Sequence, residues 1–85
     1  MRIIYAREFV KQFNKLPEDI QTLYKKQEEL FLKDWRDSRL HVKQLTGHPF
    51  PFSFRITRVY RVLFVFTDED TALFATVGHR KGIYR

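Results

Sequence analysis

The sequence predicts an α+β domain in which an antiparallel-rich sheet packs against an N-terminal αα-hairpin, with the elements in the order βααβββ. Three observations carry this reading. The chain has 85 residues, room for one hydrophobic core, so residues 1–85 are expected to form a single domain. The first half carries apolar residues at helical intervals, broken once by Pro17. The second half alternates apolar and polar residues, or runs densely apolar, as strands do.

Met1 to Tyr5, with β-branched Ile3 and Ile4, reads as a short strand that enters the sheet. Phe9, Phe13 and Leu16 then recur at helical spacing until Pro17, which suits the first turn of a second helix better than the interior of the first. Glu18 and Asp19 favour a helix N-terminus. Ile20, Leu23, Tyr24, Gln27, Leu30, Phe31 and Trp35 mark one face of the helix that follows. The short link forces the two helices into an antiparallel pair whose shared apolar face needs a sheet to cover it. Leu40 to Leu45 alternates like a half-buried strand and ends at Thr46-Gly47. Phe52, Phe54 and Ile56 share a face beyond the stiff His48-Pro49-Phe50-Pro51 loop. Tyr60 to Phe66 and Thr71 to Val77 have the density of central strands, joined through Thr67 to Asp70. The last four elements are expected to form a meander-like sheet.

Composition narrows the class. Nine Phe, four Tyr and one Trp supply large buried area to a short chain, so it should fold and not remain disordered. Cysteine is absent, which removes disulfides and thiolate metal sites and fits a reducing cytoplasm. The apolar run at the start is too short for a signal peptide, and no stretch approaches a membrane span, so a soluble cytoplasmic protein without a membrane partner is expected. Up to Asp37 there are eight Lys or Arg against seven Asp or Glu; the remainder has eight against three, and none of those three lies between Ser38 and Thr67. A sheet surface with no carboxylate would not repel phosphates. A small domain that is merely basic has the same composition, so the charge needs residues to give it meaning.

Arg39-Leu40 leading to Leu45-Thr46-Gly47, Phe54-Arg55-Ile56 with Tyr60-Arg61-Val62, and Val77-Gly78-His79-Arg80 ending in Ile83-Tyr84 stand in one order along the second half. In that order and spacing the chain resembles the RelE/ParE toxin superfamily, with a weaker likeness through Phe9, Leu16-Pro17 and the helical hairpin. The resemblance implies the toxin of a type II toxin–antitoxin system. In one branch it is a ribosome-dependent mRNA endonuclease, which helps a ribose 2′-OH of the message attack the adjacent phosphate and leave a 2′,3′-cyclic phosphate without metal or other cofactor. The implied partners are a cognate antitoxin protein and mRNA in the ribosomal A site. The same fold serves other targets. A ParE-like DNA gyrase inhibitor that binds without catalysis, or an inactive member that only binds its antitoxin, are the alternatives.

In-line attack develops charge on a pentacovalent phosphorane, so the site needs fixed cations and groups to move protons. Arg61 and Arg80 suit the first need by chemistry and by family position. Arg61 lies in a dense apolar run, where a charge is costly unless its face opens to solvent or a ligand; the alternative is an ion-pair arginine bracing the sheet. Arg55 joins Arg61 on one face if the turn between them has three residues, Thr57, Arg58 and Val59, and falls on the opposite face if it has two. Tyr84 matches a tyrosine that relatives place against the target base or the attacking hydroxyl; stacking is the easier task for a phenol, and anchoring the tail is the alternative. His79 is the candidate general acid or base, with capping of a carbonyl as its competing role. Lys43, Lys81, Arg55 and Arg85 are candidate RNA contacts, or solvated charges. The family prototype has lysines on the strand before the Arg55 position, where this chain has Pro51, Phe52, Ser53 and Phe54. Proton transfer then falls to His79 or His48, or catalysis rests on arginine electrostatics, or activity is reduced. His41, His48 and His79 lack metal-ligand spacing, so no metal is expected.

Overall fold

The computed structural model describes residues 1–84. Strand β1 (Arg2–Tyr5) opens the chain, and helices α1 (Arg7–Asn14) and α2 (Glu18–Lys33) follow. A 3₁₀ turn (Ser38–Leu40) leads to β2 (Lys43–Gln44), β3 (Phe52–Arg55), β4 (Tyr60–Asp68), β5 (Thr71–His79) and the short helix α3 (Arg80–Ile83). The sheet has the order β1-β5-β4-β3-β2. Its antiparallel meander from β2 to β5 agrees with the sequence reading, and β1 closes the far edge parallel to β5. Five strands are thus present, one more than the order βααβββ names.

Pro17 sits at the N-cap of α2 with φ −54°, and Glu18 and Asp19 occupy the first turn, where carboxylates complement the helix dipole. Gln21 fastens the hairpin by donating from Nε2 to the Leu16 carbonyl (3.0 Å) and to the Phe13 carbonyl (3.1 Å), which also accepts the Leu16 N–H, so it ties α2 to the carbonyls at the end of α1.

Phe31 is the centre of the core. Its ring lies 5.1 Å from Phe64, 5.1 Å from Phe74 and 5.5 Å from Phe54, so one residue of α2 touches three neighbouring strands. Phe9, Phe13 and Tyr24 extend the cluster along the hairpin. Tyr24 and Tyr5 both donate to Oε2 of Glu28. Burial, reinforced by that carboxylate, pushes the Tyr24 phenol far up and the Tyr5 phenol up to about 12. No described helix is long and apolar enough to cross a membrane.

Three expectations need correction. Leu40 to Leu45 is not one strand: His41 takes the left-handed conformation (φ 49°) and interrupts the extended backbone, so only Lys43 and Gln44 pair. Leu40 is fully buried from within the 3₁₀ turn, which Asp37 caps by accepting from the Arg39 N–H at 2.9 Å. Trp35 falls beyond the end of α2 and packs 4.9 Å from Phe66 from the following turn. The tail, where the sequence signals no element, forms α3.

Candidate functional site

Alternation divides the sheet into two faces. Phe54, Val62, Phe64, Phe74 and Val77 face the helices and enter the core. The other face carries Lys43 opposite Ser53 opposite Leu63, and beside that row Arg55 opposite Arg61 opposite Gly78. The three residues Thr57, Arg58 and Val59 form the loop, since Ile56 still bonds Tyr60 (2.9 Å), so Arg55 and Arg61 share a face.

A cleft of about 490 Å³ opens over this surface, lined by Lys43, Leu45, Arg61, Arg80, Lys81 and Tyr84. Four of its six lining residues are cations and none is acidic. Lys43 comes from the edge strand, Arg61 from the centre of the sheet, and the other charges from α3. That helix is held at its first residue by the Arg80 N–H, which donates to the Val59 carbonyl at 2.7 Å. Arg61 is 7% exposed. Its Nη2 donates to the Arg58 carbonyl at 3.3 Å, while Nε and Nη1 are buried without an acceptor. Among the described residues the ion pair is Arg39 with Asp37, so no carboxylate braces Arg61. A buried guanidinium short of acceptors is costly, and an incoming anion would relieve that cost.

The cleft brings together Arg61, Arg80, Tyr84, Lys43 and Lys81. Arg55 stands opposite Arg61 but lines the neighbouring hollow with Gln27, Arg39 and His41, and its own Nε is buried without an acceptor. His79 pairs with Tyr60 in register, which by alternation puts it on the face opposite Arg61, its ring 5.7 Å from the tyrosine. Its Nδ1 accepts the Lys81 N–H at 3.1 Å, capping α3. His79 therefore orients the helix that carries Arg80 and Lys81 and is followed by Tyr84. Arg85 lies outside the described residues.

The sequence offers His48 for proton transfer but does not place its loop beside Tyr84. The His48 ring lies 6.4 Å from Tyr84 at nearly a right angle, and a second hollow of about 430 Å³ lies between this loop, Gln12, Thr76 and the end of α3. No periodicity signals this, because loop and tail meet only through the folded sheet. No group of three or more His, Asp or Glu among the described residues is arranged to hold a metal ion.

No family model and no curated protein matches the sequence. Solved structures do. The antitoxin–toxin complex RelB–RelE from Methanococcus jannaschii contains a chain with TM-score 0.75 and 28% identity, the match covering 95% of this chain and 94% of that one. The intact RelBE toxin–antitoxin complex of E. coli gives TM-score 0.71 at 21% identity over 92% and 94% of the two chains. YafQ from E. coli gives TM-score 0.79 at 12% identity over the full length of both. The last two likenesses speak for fold alone, and the first adds sequence to it. With its helical hairpin over a five-stranded sheet matched nearly end to end, the chain has the fold of the RelE-like toxins and is similar in sequence to the Methanococcus jannaschii chain.

Proposed function

We propose that this protein is the toxin of a type II toxin–antitoxin pair and that it cleaves mRNA presented by the ribosome. The observation that carries the reading is Arg61: a buried guanidinium with two unpaired nitrogens, in a cleft whose charged walls are all cationic.

The step requires the 2′-oxygen to bond to the adjacent phosphorus while the bond from phosphorus to the 5′-oxygen breaks. The 2′-OH loses its proton and the departing 5′-oxygen gains one, leaving a 2′,3′-cyclic phosphate. Arg61 and Arg80 are suited to the equatorial oxygens of the phosphorane, since a guanidinium stays charged and donates as a planar fork. Lys43 and Lys81 add charge at the rim, and their ammonium groups carry protons that a leaving oxygen can take. Tyr84, 37% exposed, offers its ring for stacking on a base. Among the described residues no carboxylate lines the cleft, so the rate enhancement rests chiefly on the arginines. The partner is an antitoxin, as in the RelB–RelE and RelBE complexes of the related chains, and its acidic groups would cover the same cations.

The test is induction in cells, with mRNA 5′ ends mapped on translating ribosomes and gyrase supercoiling assayed in parallel. Codon-phased new ends are expected. Growth arrest with inhibited supercoiling and no new ends would reject cleavage in favour of a gyrase-binding toxin.

A further inference from the structure

We propose that the hollow behind Tyr84 is a nucleobase subsite that prefers guanine, with Gln12 and His48 donating to the O6 and N7 acceptors of the base; this rests on the RNA reading above.

Tyr84 borders both cavities: the cationic cleft on one side and the hollow of about 430 Å³ on the other. A strand with its phosphate beside Arg61 therefore has a neighbouring base within reach of the hollow. Phe50, Leu63 and Ile83 give it apolar walls, as a nucleobase face requires.

The polar groups are oriented by the fold. Strand β1 pairs with β5 only as far as Phe74, so the outer edge of β5 is unpaired beyond that point. Gln12 fills the gap: its Oε1 accepts the Val77 N–H at 3.0 Å and also the Thr76 hydroxyl. With Oε1 engaged by two donors, the amide cannot rotate end for end, and its Nε2 hydrogens have no protein acceptor among the described residues. His48 is fixed in the same way, because its Nδ1 accepts the Phe50 N–H at 3.1 Å. In the neutral ring the proton then sits on Nε2. Gln12 and His48 both present donors, and the side-chain acceptors beside them are two hydroxyl oxygens, those of Thr76 and Tyr84. Of the two purines, guanine presents adjacent acceptors at O6 and N7, whereas adenine has a donor beside N7.

The test uses fluorescein-labelled U-rich heptanucleotides with one central G, A, C or abasic position, bound to the intact protein at low salt and read by anisotropy. The G oligonucleotide should bind about tenfold tighter than the A or abasic ones, the discrimination of one bidentate pair. Gln12→Glu keeps the acceptor for Val77 and Thr76 but loses the donors. It should bring the G-to-A ratio near one while the melting temperature holds. His48→Ala should weaken the same ratio. A G preference unchanged in both variants, a preference for C, or equal binding of all four would overturn the subsite. Equal binding that still falls with Arg61→Ala leaves the RNA reading standing, whereas affinity indifferent to Arg61 and to salt counts against that reading itself.

Discussion

Arg55 and Arg61 stand directly opposite each other across the β3–β4 hairpin, each with a side-chain nitrogen buried away from any acceptor. Like charges so placed repel, and neither is relieved by a carboxylate among the described residues. A sheet assembled for stability alone would put an apolar pair here. The pair makes sense as a place where an anion completes the structure.

Arg61→Met should keep or raise stability while abolishing toxicity. Replacing a buried charge that has two unpaired nitrogens with an apolar side chain of similar length removes its desolvation cost. Loss of a phosphorane contact should cost about 10²-fold or more in cleavage. Urea unfolding and 5′-end mapping measure the two. A destabilised variant that still arrests growth would make Arg61 a structural residue.

Lys43→Ala should weaken RNA binding evenly across sequences. Each phosphate contact on a single strand contributes about 0.7 to the slope of log K against log salt, so the variant's slope should be shallower by about that amount. An unchanged slope in a salt titration would show that Lys43 is only a solvated charge on the edge strand.

His79→Ala and His79→Asn should differ. The alanine removes the acceptor for the Lys81 N–H, a capping bond typically worth about 1 kcal/mol, and loosens the helix that carries Arg80 and leads into Tyr84. Asparagine restores an acceptor at the same place. Cleavage lowered by alanine and recovered by asparagine marks a positioning role; loss in both with α3 intact would return His79 to proton transfer.

Alkaline pH should destabilise the protein through the tyrosines on Glu28. An unfolded tyrosine ionises near about 10, whereas burial and the Glu28 carboxylate hold the Tyr5 phenol up to about 12 and the Tyr24 phenol higher. Over that interval the native state binds more protons than the unfolded one, so stability falls as pH rises from about 10 to about 12. Glu28→Gln should narrow the interval without closing it, since burial is the larger cause for both rings. Urea midpoints between pH 9 and 11.5 check this; a flat profile would contradict it.

Much of the fold and part of the site could be read along the chain. Alternation at Phe52, Phe54 and Ile56 and the break at Pro17 are local signals, produced by side-chain periodicity and by a missing backbone N–H, and both agree with the structure. The parity that pairs Arg55 with Arg61 needed only the length of one turn, and a three-residue loop is what the hairpin has. These features depend on neighbours a few residues apart, so the sequence by itself determined them. Only tertiary structure decided that Lys43 and Lys81 line one cleft with Arg61, that His79 turns to Tyr60 and caps α3, and that His48 stands beside Tyr84. Each of those placements follows from strand register, from the left-handed turn at His41 or from the docking of α3 on Val59. Such contacts join segments far apart in the chain, and no local pattern of residues encodes them.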